Sequence, residues 1–192
     1  MQTIIVPTDF SATSFNAAQY AVQMAASQKE ATIVLFHVYD KLVAGSDGTP
    51  LLVDPEDRRQ ARIMALNNTR DRLGAPANIK IECIAEEGVL VEQLNRLTNR
   101  LLADIIVMGM NGSSPLERIM IGSNTLNTVH AVNAPVLIIP PSAKWSGVKN
   151  IAFASDFKDV ESSTPIGMLK KMLDFFKPNL FVVNVDSEHH VE

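Results

Sequence analysis

Short apolar runs alternating with helical stretches constrain this chain more than any other feature. Thr3–Pro7 is a continuous run of the kind expected for a strand buried on both faces. Thr32–Val38, Ile79–Ala85, Asp104–Met108 and Pro135–Ile139 repeat the pattern. Between the first two, Ser14–Ser27 places Ala18, Ala21, Val22, Ala25 and Ala26 at helical spacing, with residues small enough to sit close to a sheet. Asp9 or Ser11 caps that helix. Asp54-Pro55-Glu56 starts the second helix, with a cap, a proline in the first turn and an acid near the positive end; Gly74 and Pro76 stop it. Val89–Leu102 carries leucines at 90, 94, 97, 101 and 102, and Gly122–Val132 makes a fourth helix. The order β-α-β-α-β-α-β-α-β predicts an open, doubly wound α/β domain around a five-stranded parallel sheet, Rossmann-like in plan.

That domain ends near Pro141, and the chain has 192 residues. Residues 142–149 read as a linker, in which Trp145 packs on a domain face. From residue 150 the pattern restarts. Ile151-Ala-Phe-Ala-Ser-Asp156-Phe157 repeats Ile4-Ile-Val-Pro-Thr-Asp9-Phe10 at an offset of 147. The same offset lays Leu180–Val185 on Ile33–Val38, with the helical stretch Ile166–Phe176 between. Residues 150–192 are therefore expected to form a partial β-α-β repeat, which needs company to cover its sheet.

Composition narrows the function classes. A net charge of -4 gives no positive field for nucleic acid or anionic lipid. The lone Cys83 forms neither an internal disulfide nor a cysteine zinc cluster, and its apolar neighbours place it as a buried strand thiol. The apolar runs fall well short of the ~20 residues of a membrane span. The start has neither a basic segment nor a small-residue cleavage site. The expected location is cytoplasmic. The charges of the second helix read as a solvated surface.

In open α/β sheets ligands bind beyond the C-terminal ends of the strands, where strand order reverses. After the fourth strand come Met108-Gly109-Met-Asn111-Gly112 and, farther on, Gly122-Ser123-Asn124-Thr125: a Gly-x2-Gly-x9-Gly-Ser pattern. Glycines let backbone approach a ligand, and the amides of a helix start attract phosphate. Ser123 either caps the helix or donates to a phosphate oxygen. No P-loop and no dinucleotide fingerprint are present.

The chain resembles the universal stress protein family, whose ATP-binding members carry this glycine pattern after strand four. The likeness covers residues 1–141, including Ile5-Val-Pro-Thr-Asp-Phe-Ser11 at the start, His37-Val38 ending strand two and Ala134–Pro140 ending the domain. The tail resembles the truncated repeat of a tandem member. The resemblance implies that Pro7, Thr8 and Asp9 lie beside adenine and ribose, with Val38 backbone at the adenine edge. Met108, Gly109, Asn111 and Gly112 would line the path to the phosphates, held by Gly122, Ser123, Asn124 and Thr125. Strand five, Val136–Ile139, would pair in a homodimer. The resemblance implies a nucleotide-binding stress-response protein whose ligand, ATP, ADP or AMP, modulates conformation or assembly. Arg118 is the sole cation within the pattern, so amides, a helix end and a counter-ion such as Mg²⁺ would meet the phosphate charge.

Alternatives stay open. Asp9 reads equally as a ribose contact or a cap. His37 reads as a structural histidine, and His130 as an exposed one. His189 and His190, side by side, point apart and make no metal site. Slow ATP hydrolysis would have Asp9 as its one candidate base, and the residues name no catalytic set. An interaction module without nucleotide is the third reading.

Overall fold

A computed structural model describes residues 2–27, 30–41, 54–110 and 121–184. The described chain divides into two compact units, 1–145 and 146–192.

In the first unit, β1 (Gln2–Pro7), β2 (Ala31–Tyr39), β3 (Ile79–Glu87), β4 (Ile105–Gly109) and β5 (Val136–Ile139) form one parallel sheet in the order β3-β2-β1-β4-β5. Four helices connect them: α1 (Ala12–Ala26), α2 (Pro55–Leu73), α3 (Leu90–Leu101) and α4 (Ser123–Ala131). α1 and α2 cover one face, α3 and α4 the other. Alternation along the strands sorts the core. Ile5, Val34, Phe36 and Ile106 pack toward Leu94 and Leu97, while Ile4, Val6, Ile33 and Ile105 are equally buried on the opposite side. Truncating a fully buried leucine such as Leu94 would cost about 2–5 kcal/mol.

Local chemistry sets the boundaries. Ser11 caps α1 by accepting from the Ser14 amide at 3.2 Å. Asp54 caps α2 by accepting from the Glu56 amide at 2.8 Å, with Pro55 following, and Gly74 ends it in the left-handed region. Small Ala17, Ala18, Ala21 and Ala25 are buried, letting α1 lie close to the sheet. Two readings change. Leu102 is not part of the apolar face of α3: it is the left-handed C-cap (φ 50) and 83% exposed. Cys83 is half-buried, because β3 is an edge strand. The unit ends on Trp145, whose indole meets the Tyr20 ring edge-on at 5.5 Å and whose amide donates to Gln23 Oε1.

The second unit is a β-α-β unit: β6 (Asn150–Ala154), a short helix α5 (Val160–Ser163), α6 (Ile166–Phe176) and β7 (Asn179–Val183). β6 and β7 are parallel, and Ile151 faces Leu180 as Ile4 faces Ile33 in β1–β2. The turns agree bond for bond. Phe10 (φ 64) and Phe157 (φ 56) both take the left-handed conformation, fixed by amide donation to Thr8 Oγ1 and Ser155 Oγ. The Ser11 and Lys158 amides donate to Asp9 and Asp156 Oδ1, each at 3.0 Å.

Candidate functional site

The sheet runs outward from β1 to β3 and then restarts at β4 on the other side of β1. A crevice therefore opens where the C-terminal ends of β1 and β4 part. It holds a cleft of about 380 Å³. Pro7, Thr8, Asp9, Val38, Met108, Gly109, Gly122, Ser123, Asn124 and Thr125 line it, so these residues from four separate stretches meet at one place. Asn111 and Gly112 lie outside the described residues, as does Arg118. So do residues 42–53 and the terminal histidines.

One wall is the turn after β1. The Thr8 amide donates to Phe36 O at 2.8 Å, which continues the β1–β2 ladder one residue past the strand. Thr8 Oγ1 shares a hydrogen bond with Ser14 Oγ at 3.0 Å and accepts from the Phe10 amide at 3.0 Å. The Asp9 carboxylate projects from this turn. Partial burial of the carboxyl pushes its pKa up, but hydrogen bonds from Ser11 and Ser14 outweigh that and hold it below the usual value. Asp9 braces its own turn, and the cap of α1 is Ser11.

His37 closes the back of this wall. Its Nδ1–H donates to the Thr8 carbonyl at 2.8 Å, and its ring lies 4.5 Å from Phe10. Burial holds its pKa below the ordinary histidine value, with the positive Arg62 adding to this and the Thr8 bond and Asp9 opposing it. The structural reading of His37 fits this bond, yet the ring also lines the cleft.

The opposite wall is the strand-helix junction of β4 and α4. Gly122 is the N-cap of α4, with extended backbone (φ -62, ψ 149) and no side-chain cap bond. Its amide donates to Met110 O at 2.9 Å. Ser123 is thus the first helical residue and not the cap. The first-turn amides of Ser123, Asn124 and Thr125 lack helical acceptors, and no acid stands in that turn. The positive helix end therefore faces the cleft without a neutralising side chain. Thr125 Oγ1 ties the helix to the strand by donating to Gly109 O at 3.1 Å.

Gly109 has a second reason to be glycine. A Cβ there would sit 2.9 Å from Thr13 Cγ2 and 3.0 Å from the Thr13 carbonyl oxygen. The missing side chain serves the close crossing of α1 over β4 as well as the cleft.

Sequence reading missed part of the rim. Ser14, Asp40, Gly88, Val89 and Leu90 also line the cleft. The last three form the β3–α3 turn, where Gly88 takes φ +139 and its amide donates to Tyr39 O at 3.0 Å. A glycine directly after an apolar strand was the available signal. Below this rim, Arg58 donates to Glu87 Oε2 at 3.0 Å and to the Asp40 carbonyl at 2.7 Å, with its guanidinium 5.2 Å from the Tyr39 ring centre. It fastens α2 to the ends of β2 and β3.

Chemically the cleft offers a positive helix end on one side and a carboxylate with backbone carbonyls on the other. Among the described residues no three His, Cys, Asp or Glu side chains cluster to hold a metal ion. No helix among them is long and apolar enough to cross a membrane.

Sheet order and cleft position define a doubly wound α/β protein with a switch-point site. The profile of the Universal stress protein family matches residues 1–140, and the chain belongs to that family. It is 28% identical over 151 residues to universal stress protein MJ0577 of Methanocaldococcus jannaschii, a match covering 71% of this chain and 93% of that protein. The solved structure of MJ0577 aligns with a TM-score of 0.57 at 26% identity, covering 76% of this chain and 98% of that one. A universal stress protein crystallised in complex with cAMP aligns at 0.50 and 25% identity, covering 73% and 98%. One from Archaeoglobus fulgidus DSM 4304 covers 97% of this chain with 67% of its own length, at a TM-score of 0.56 and 19% identity, a likeness of fold alone.

Proposed function

We propose that this protein binds an adenine nucleotide in the switch-point cleft and acts as a nucleotide-responsive stress protein. The observation that carries the reading is the start of α4. Its free amides and uncompensated positive end face a cleft whose far wall carries Asp9. Phosphates sit at the Gly122–Thr125 turn, where amides and the Ser123 hydroxyl meet their charge. The ribose hydroxyls lie toward the Asp9 carboxylate, and the base lies against Val38 and Met108. Asn111 and Gly112 complete the phosphate path. The cAMP complex of a relative at 25% identity supports adenine nucleotides as the ligand class.

Mg²⁺ enters this reading as the counter-ion of the phosphates, with Asp9 and Asp40 the carboxylates along the cleft. Binding is favoured over turnover. A carboxylate held below its usual pKa is a weak proton acceptor, so Asp9 serves as a contact and not as a general base.

Residues 1–141 are the nucleotide-binding domain in this account, 142–149 the linker, and 150–192 a partial second repeat. The matching register and turn bonds of the two units support that repeat. β5 is an edge strand of the five-stranded sheet, which supports pairing of Val136–Ile139 between protomers of a homodimer.

Extraction of the purified protein followed by chromatographic identification tests the reading. Co-purified AMP, ADP, ATP or a cyclic form is the expected result. An empty protein that takes up none of them on titration would make this an interaction module.

A further inference from the structure

A second, smaller cleft of about 250 Å³ opens between α2 and the turn that follows β1. Among the described residues Thr8 alone lines both this cleft and the switch-point one. The walls are largely apolar. Phe10 enters on left-handed backbone (φ 64), a conformation that a bulky residue rarely adopts, and stays 37% exposed. Phe15, near the start of α1, and Ala65 on α2 supply the rest.

The polar groups of the lining are accounted for one by one. Thr8 Oγ1 is engaged with Ser14 and the Phe10 amide, and Thr69 Oγ1 donates to Ala65 O at 3.0 Å. That leaves the Asn68 carboxamide and the Arg72 guanidinium, which have no hydrogen-bond partner among the described residues. Arg58, Arg59 and Arg70 of the same helix are paired with Glu87, Glu56 and Asp71. Arg72 instead lies over the Phe15 ring, 4.3 Å from its centre. This contact sets the positive charge against the π-face and occupies none of the N–H donors. A guanidinium held in this way beside an apolar cleft can take a carboxylate in two parallel hydrogen bonds.

We infer that this cleft binds a small monocarboxylic acid with an apolar body. The carboxylate pairs with Arg72 and accepts a further hydrogen bond from the Asn68 amide, while the body lies between Phe10 and Phe15. The volume equals roughly eight waters at about 30 Å³ each, room for a single ring and its carboxylate. A phosphate calls for several cations or free helix amides. Arg72 is one cation, and the start of α1 nearby is closed by Ser11, which accepts from the Ser14 and Phe15 amides. Thr8 apart, the site uses none of the residues proposed to hold nucleotide and does not rest on that reading.

The test titrates phenylacetate into the full-length chain and follows the backbone amides by NMR. The shifts should centre on Phe10, Phe15, Asn68 and Arg72. They should saturate with a Kd of about a millimolar, the range open to a ligand of about ten non-hydrogen atoms. Benzyl alcohol, which has the ring without the charge, should bind about tenfold more weakly or less. Arg72 is exposed, so Arg72→Met should fold as the wild type does and weaken binding by about tenfold. Ala65→Leu fills the cleft from a helix position that leucine suits, and should abolish saturable binding with an unchanged far-ultraviolet spectrum. Shifts that never saturate, equal binding of benzyl alcohol, or wild-type affinity in Arg72→Met would overturn the inference. Saturable shifts centred on Ser123, Asn124 and Thr125 would put the acid in the switch-point cleft and overturn it as well.

Discussion

His37 donates from Nδ1 to the Thr8 carbonyl at 2.8 Å, fastening the end of β2 to the turn that follows β1. In the second unit, Asn184 Nδ2 donates to the Ser155 carbonyl at 2.8 Å from the equivalent position. A planar N–H donor is common to both sites, and the imidazole adds a nitrogen that titrates. A carbonyl only accepts, so Nδ1 carries the proton and Nε2 keeps its lone pair while the ring is neutral.

Stability should therefore depend on pH through His37. Its pKa is lowered in the folded state, so the unfolded chain binds more protons as pH falls below about 6.5. The contribution of His37 is fully present above that pH and is lost as pH drops through the folded value. His37→Asn should keep the Thr8 bond and flatten the pH dependence. His37→Ala should lose about 1–2 kcal/mol at pH 7. Urea midpoints from pH 8 to pH 5 check both. The shift of Asp9 acts in a separate window, below its ordinary value near 3.8.

Gly109→Ala should destabilise the first unit by about 1–3 kcal/mol, because the new methyl meets Thr13. Thr13→Ser removes the Cγ2 contact but leaves the carbonyl oxygen at 3.0 Å. The double variant should recover only part of the loss. Full recovery, or no loss in Gly109→Ala, would contradict the close crossing of α1 and β4. Equilibrium unfolding of the four proteins settles it.

Arg58→Lys should behave like a loss of the residue. A lysine cannot reach Glu87 and the Asp40 carbonyl together in the planar fork that Arg58 uses. The expected cost is about 1–2 kcal/mol, with nucleotide affinity falling several-fold because Asp40 and Gly88 line the cleft. Denaturation and titration of the same variant separate the two effects.

Most of the first unit was legible because β1, β2 and β4 are largely buried and α1 and α2 begin with side-chain caps. Asp54-Pro55 and Gly74 bound α2 where the sequence placed them. The strand ends were harder to place. Glu86 and Glu87 are polar, yet they extend β3 by pairing with Val38 and Tyr39. The cleft was legible on the β1 and β4 sides, where motif residues sit next to their strands. It was not legible at Gly88–Leu90. That turn reaches the site through the order of the strands in space, which adjacency in sequence does not encode. Gly109 carried a steric reason that only the crossing of α1 exposes. Gly122 took the cap position that Ser123 was free to take, because an extended glycine needs no side-chain bond to begin the helix.

Calorimetric titration of ATP into the wild type and Gly122→Asp tests the central claim most directly. The extended backbone at Gly122 (φ -62, ψ 149) is one that L residues adopt without strain, and aspartate is a better cap than glycine by a few tenths of a kcal/mol. The variant should unfold at the same or a slightly higher denaturant concentration. Its carboxylate would stand where phosphate is proposed to sit, so affinity should fall by about a hundredfold or more. Equal ATP affinity in the two proteins would place the nucleotide elsewhere and contradict the account.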